Sequence, residues 1–229
     1  MAHHYSPNII TNGLVFYIDF ANNKSYSGGS TVYDLTKYSN NPSLVNGPSF
    51  VNEKYGSISM DGVDDHILVA SDGLGKFDYQ DFTIDFWYKT DSSFASYDSL
   101  WSYDYTSHVD PYYSQHIRID LAPIVFVGTN YNGVFQTQST DEILLTSTWY
   151  NIVWSRTSGE SLIYVNGVVR SSSSSTGTIN YYNQEVWIGK SNFEASSHGG
   201  YSSVKFYNRR LSNSEVLQNF NTVRSRYGI

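Results

Sequence analysis

Residues 60–69 read MDGVDDHILV, and three of these ten are aspartates, Asp61, Asp64 and Asp65, set around Gly62. Carboxylates this close could ligate calcium, act as an acid/base pair, or fold a turn by bonding their own backbone. Acid/base work fits poorly, because adjacent residues such as Asp64 and Asp65 point to opposite faces of an extended chain. Glycosidases on sandwich folds need two carboxylates facing one cleft. The six glutamates, Glu53, Glu142, Glu160, Glu185, Glu194 and Glu215, include no near neighbours, and no E-x-D-x-x-E pattern occurs. Six dispersed histidines show no H-x-x-x-H spacing for zinc, and there is no G-x-S-x-G elbow for a serine nucleophile. No glycine-rich loop leads into a helix, so nucleotide binding has no support. The sequence argues against an enzyme.

Aromatic residues offer another chemistry. SYDYTSHVDPYY (102–113) sets Tyr103, Tyr105, Tyr112 and Tyr113 around His108, Asp110 and Pro111. Tyrosine presents a rigid apolar face and a hydroxyl, which suits a sugar ring or a protein groove. Tyr105, His108, Tyr112 and Tyr113 are therefore the expected glycan contacts, the competing reading being that these rings roof the core edge.

Composition narrows the partners. The chain has 229 residues, a formal net charge of −7, and 14 basic residues that form no run. Nucleic-acid binding needs clustered cations to displace counterions, and that cluster is missing. No stretch reaches the roughly 20 apolar residues that cross a bilayer, and MAHHYSPNII does not read as a secretory signal. The absence of cysteine excludes disulfides and thiol catalysis.

The elements that must position these residues are strands. Aromatics make up 17% of the chain against 15% charged residues, a balance that favours pleated sheets. Period-two patterning recurs over 14–20, 56–60, 66–69, 82–89, 99–103, 116–120, 124–128, 149–156, 161–170, 186–189 and 200–207. FTIDFWYK (82–89) puts Phe82, Ile84, Phe86 and Tyr88 on one face, and Thr83, Asp85, Trp87 and Lys89 on the other. Asn166-Gly167 marks a type I′ hairpin. One helix is predicted at the C-terminus, with Ser212 and Glu215 as capping box, an apolar stripe through Val216, Leu217, Phe220 and Val223, and Gly228 closing it. SSSSSTG (171–177) reads as a loop within the domain. Short strands separated by Gly, Asn, Ser and Asp predict an all-β, antiparallel two-sheet sandwich.

The order of GLVFYIDFANNKSY, TVYDLTKYSNNPSLVNGPSF, GSISMDGVDDHILV, FTIDFWYKTD, TWYNIVWSRTSGESLIYVNGVVRS, VWIGKS and GYSSVKFYNRRLSNSEVLQNFN resembles the laminin-G-like, concanavalin A-type lectin/glucanase jelly rolls. The opening YSPNIITNGLVFYIDFANNKSYSG and the ending LSNSEVLQNFNTVRSRYGI resemble a subset carried by tailed phages as virion structural proteins. The resemblance implies binding rather than catalysis, a place in the virion among other virion proteins, and contact with host-surface polysaccharide or a purely architectural role. It also implies a calcium locus of pentraxin type in the loops 106–114 and 189–195. Lys190 replaces an expected ligand there, which leaves a single Ca2+ held by Asp110 with Asn192 or Glu194. Gly62, Asp64 and Asp65 are expected to build a structural hairpin turn between GSISM and HILV rather than to hold a metal.

The expected organisation is an N-terminal arm over residues 1–13 and one domain over 14–229. The arm, with the helix face bearing Arg224 and Arg226, is expected to contact sister subunits in a homo-oligomer or the particle.

Overall fold

The computed structural model describes residues 8–70, 77–90, 97–103, 113–182, 185–192 and 195–229. In chain order the strands are β1 (Leu14–Asp19), β2 (Ser43–Val45), β3 (Ser49–Val51), β4 (Ser57–Ser59), β5 (His66–Val69), β6 (Phe82–Lys89), β7 (Asp98–Tyr103) and β8 (Gln115–Ile119). They continue with β9 (Val125–Tyr131), β10 (Val134–Ser139), β11 (Trp149–Arg156), β12 (Glu160–Val165), β13 (Val168–Ser174), β14 (Val186–Ile188), β15 (Ala195–Ser196) and β16 (Gly200–Tyr207). Helix α1 (Asn213–Tyr227) closes the chain.

Two sheets face each other. The first runs β13-β12-β11-β6-β16-β4-β3, with β1 also paired to β16; the second runs β10-β9-β8-β7-β14-β5-β2, with β15 added parallel to the start of β7. All other pairs are antiparallel, so the architecture is a two-sheet jelly-roll sandwich. Phe82, Ile84, Phe86 and Tyr88 point inward, as their alternation predicts, and meet Trp101, Ile117, Val127 and Ile188 from the facing sheet.

The other face of β6 is buried as well. Trp87 stacks on Tyr227 of α1 at 3.7 Å between centroids and lies 5.8 Å from Phe220. A second apolar layer, with Val153, Tyr164, Tyr207, Leu211 and Val216, lies between the first sheet and the helix. Within it sit two charges, Asp85 and Lys205, with side chains only 1% and 2% exposed and 3.5 Å apart. Asn151 Nδ2 donates to Asp85 Oδ1 at 2.8 Å, and Asn219 Nδ2 donates to Oδ2 at 3.1 Å. Buried charges are tolerated when paired and hydrogen-bonded, and both conditions are met.

The helix forms for the predicted reasons. Ser212 and Glu215 make a reciprocal capping box, and Gly228 ends the helix in the left-handed region at φ 80°. The Asn166-Gly167 turn has both residues at positive φ, as type I′ requires.

Three expectations change. Residues 171–174 belong to β13, because their backbone completes the ladder with β12 whatever the side chains. The reversal after GSISM is not a hairpin: β4 lies in the first sheet and β5 in the second, so the aspartate turn carries the chain across the sandwich. Residues 8–13 lie along α1, with the Ile10 N–H donating to Asn219 Oδ1 at 2.8 Å and Tyr207 Oη donating to the Ile10 carbonyl. Arg226 is already engaged within the chain, pairing with Asp19 at 2.9 Å and donating to the carbonyls of Lys54 and Gly56. Arg224 stays exposed, over the ring of Phe220.

Asp85→Ala would leave Lys205 buried and unpaired. A loss of about 3–5 kcal/mol is expected, read as a lower urea midpoint. Glu215 titrates at about 2 instead of the usual 4.5, chiefly through the hydrogen bond from Arg209. A depressed carboxylate stabilises the fold above its unfolded value and loses that contribution as pH falls toward the folded one. The melting gap between wild type and Glu215→Gln should therefore narrow between pH 4.5 and about 2.

Candidate functional site

The aspartate turn is built from its own carboxylates. Asp61 Oδ1 accepts from the Val63 N–H at 2.8 Å, and Asp65 Oδ2 accepts from the Asp61 N–H at 3.1 Å. Gly62 takes φ 76°, and a Cβ there would come within 2.8 Å of the His198 Cβ. Asp64 contributes its carbonyl, which receives Asn46 Nδ2 at 3.2 Å and lies 2.9 Å from His66 Nδ1. Bonds from the backbone, Val63 first, hold Asp61 below the ordinary carboxylate range. Burial pushes Asp65 up, reinforced by the charges of Asp61 and Asp64.

Of the aromatic loop, only Tyr113 is within the described residues; Tyr105, His108 and Tyr112 lie outside them. Tyr113 is 2% exposed, and its ring stacks on His116 with centroids 4.3 Å apart. It is a packing residue, not a glycan platform, because His116 already covers a ring face. Asp110 and Glu194 also lie outside the described residues. Asn192 is exposed and precedes β15, which pairs with the Asp98 end of β7.

An open cleft of about 300 Å³ instead lies where the ends of β4, β6 and β11 meet the start of β16. That size is at the lower bound of small-ligand sites. Gly199 and Gly200 form part of its lining, beside Ser57, Ser59, Lys89 and His198. A Cβ on Gly199 would collide with the Lys89 carbonyl and the Tyr88 ring, so only glycine permits this close approach. Lys89 Nζ donates to Glu53 Oε2 at 2.8 Å, and Trp149 Nε1 donates to Oε1 at 3.2 Å. Burial raises the Glu53 carboxyl, but these two hydrogen bonds outweigh it and hold Glu53 below the ordinary range. The pair balances its own charge, and the wall around it carries the hydroxyl residues Ser57, Ser59, Thr90 and Ser147 with His198 and Trp149.

The acidic turn does not line this cleft but is bonded to the segment that does. Ser196 Oγ donates to the Val63 carbonyl at 3.1 Å, and the Met60 N–H donates to the Gly199 carbonyl at 2.9 Å. Sequence reasoning missed the cleft because its residues come from five separate segments. The glycine pair at 199–200 was its one local signal.

A two-sheet jelly roll with a polar cleft at its rim is a lectin-like domain. Residues 61–217 match the model of the concanavalin A-like lectin/glucanases superfamily, more than half of the chain, and the chain belongs to that family. No curated protein matches the sequence. A Trypanosoma rangeli sialidase in complex with the inhibitor DANA is similar in structure, with TM-score 0.71 and 17% identity over 93% of this chain and 33% of that one. The binding domain of Paraclostridial Mosquitocidal Protein 1 gives 0.69 and 19% over 92% and 52%. The receptor binding domain of botulinum neurotoxin D gives 0.71 and 12% over 91% and 52%. The chain spans about a third to a half of the length of these proteins, and the likeness is one of fold. No helix among the described residues is long and apolar enough to cross a membrane.

Gly62→Val should destabilise the domain, because it combines positive φ with a collision against His198. Asp65→Ala should cost about 1–3 kcal/mol by stranding the Asp61 N–H. Chemical denaturation checks both, and wild-type stability in either variant would refute the turn-building role.

Proposed function

We propose that this chain is a non-enzymatic glycan-binding module of a tailed-phage particle, acting in attachment to host-surface polysaccharide. The observation that carries the binding reading is the rim cleft: its lining combines the hydroxyl residues Ser57, Ser59, Thr90 and Ser147 with His198, Trp149 and the Lys89–Glu53 ion pair. Sugar hydroxyls are matched by such fixed polar groups at modest cost in desolvation. Among the described residues lining the cleft, Glu53 is the one carboxylate, and it is held ionised. A glycosidase needs a second carboxyl and a protonated acid, so this geometry favours binding over hydrolysis. The receptor-binding domains among the structural neighbours support the same direction, and the resemblance of the opening YSPNIITNGLVFYIDFANNKSYSG and the ending LSNSEVLQNFNTVRSRYGI to tailed-phage virion proteins supports the phage setting.

An architectural reading has its own observation. Val168 and Val169 are exposed on the edge strand β13, and Arg170 pairs with Glu142 beside the exposed Ile143 and Leu145. An apolar strand edge suits contact between subunits of a particle.

Binding to host polysaccharide, measured by calorimetry, tests the first reading. His198→Ala with Ser59→Ala should weaken affinity by about 10-fold or more, the equivalent of one or two hydrogen bonds, with unchanged melting. Affinity unchanged in that variant, but lost in Tyr105→Ala/Tyr112→Ala, would move the site to the aromatic loop. Reducing-sugar release by the wild type would overturn the non-enzymatic reading.

A further inference from the structure

The aspartate turn does more than reverse the chain. Ligand oxygens of Asp61, Asp64 and Asp65 all lie within 4.8 Å of one another. Like charges this close repel, and among the described residues no Lys or Arg forms an ion pair with any of the three. The second observation is Asp65 itself. Its residue exposure is 4%, and Oδ1 is buried with no hydrogen-bond partner. The other oxygen of that carboxylate bonds the Asp61 N–H, which holds the group inside the turn. A buried anionic oxygen without a partner is costly, and native structures rarely keep one without an ion or water to satisfy it.

The geometry points to a divalent-cation site at this turn, formed by Asp61, Asp64 and Asp65 and selective for calcium. Hard carboxylate oxygens with neither cysteine nor a free imidazole in the set disfavour zinc; the neighbouring His66 directs Nδ1 to the Asp64 carbonyl. Calcium binds oxygens at about 2.3–2.6 Å in flexible geometry, so oxygens within 4.8 Å of one another can share one ion. Magnesium demands a stiffer octahedron at about 2.0–2.1 Å and keeps more of its water. Asp61 and Asp64 are exposed, so the ion would sit at the mouth of the turn with water completing its shell, while Asp65 closes the inner side. A site with three protein carboxylates and open water positions belongs among the weaker calcium sites, with Kd on the order of 10⁻⁴–10⁻³ M. This inference does not depend on glycan binding.

The experiment uses the whole chain after chelator treatment, titrated with CaCl2 by calorimetry and melted with calcium, with magnesium at equal ionic strength, or with chelator. Asp64→Asn is the diagnostic variant, because no described turn hydrogen bond uses its carboxylate. Asp141→Asn, an exposed acid elsewhere, is the control. Wild type and Asp141→Asn should bind calcium and melt higher with it than with magnesium. Asp64→Asn should melt like wild type in chelator yet bind calcium at least 10-fold more weakly. No calcium response in wild type up to about ten times the expected Kd would overturn the site. An equal response in Asp64→Asn, or an equal response to magnesium, would likewise overturn it by showing only general charge screening.

Discussion

The first sheet depends on a charge pair in a place where charges are expensive. Asp85 and Lys205 are direct cross-strand partners in the β6–β16 ladder, on the face covered by α1. A slip of one residue would set Lys205 against Phe86 or Ile84 and turn every apolar residue of β6 to the wrong side. The pair therefore fixes register as well as charge balance. Its remaining lone pairs are taken by Asn151 from β11 and Asn219 from α1, so four elements must be in place together. Asn219 also donates to Tyr207 Oη and accepts from Ile10, which extends the same network to the start of the chain. Burial and the charge of Asp85 raise the Tyr207 phenol far above its ordinary value, keeping it a neutral donor to the Ile10 carbonyl.

That network accounts for where the cleft lies. The outward face of β6 runs Asp85, Trp87, Lys89, and the helix covers the first two. Tyr227, the last residue of α1, stacks on Trp87 and also meets Trp149 at 5.2 Å. Beyond Tyr227 the helix ends, and Lys89 emerges at the rim with Glu53 and Trp149 around it. Arg226 closes the helix onto Asp19 and onto the carbonyls of Lys54 and Gly56, which anchors the segment that presents Glu53. The cleft is what remains of the outer face once α1 stops.

Much of this fold was legible in the sequence, because alternation over 82–89, 149–156 and 200–207 and the capping box at Ser212 are local signals. The short strands β2, β3 and β15 carry no alternation to read, and they form because neighbouring strands complete their ladders. β10 escaped notice because VFQTQS is largely exposed and polar. The hydrophobic period also could not reveal that Thr83, Asp85 and Trp87 are buried, since only the helix makes that face interior. The site was less legible still. Tyr113 was legible as an aromatic and misleading as a ligand, because burial against His116 is a tertiary fact. Glu53, Lys89 and His198 are unremarkable in sequence, and only the meeting of β4, β6 and β16 assembles them.

The two rim features share backbone, and this ties turn chemistry to cleft shape. Met60 bonds the Gly199 carbonyl, Val63 receives Ser196 Oγ, and Gly62 lies against the His198 side chain. Gly199 in turn has no freedom, pressed as it is on the Lys89 carbonyl and the Tyr88 ring. A change in the turn therefore cannot be absorbed by the glycine pair; it must move His198 or open the gap between β4 and β16. Interiors packed to this density transmit small displacements rather than damping them. The carboxylates of MDGVDDHILV thus act on a cleft wall they do not themselves line, because the turn they fold is bonded to Gly199 and packed on His198.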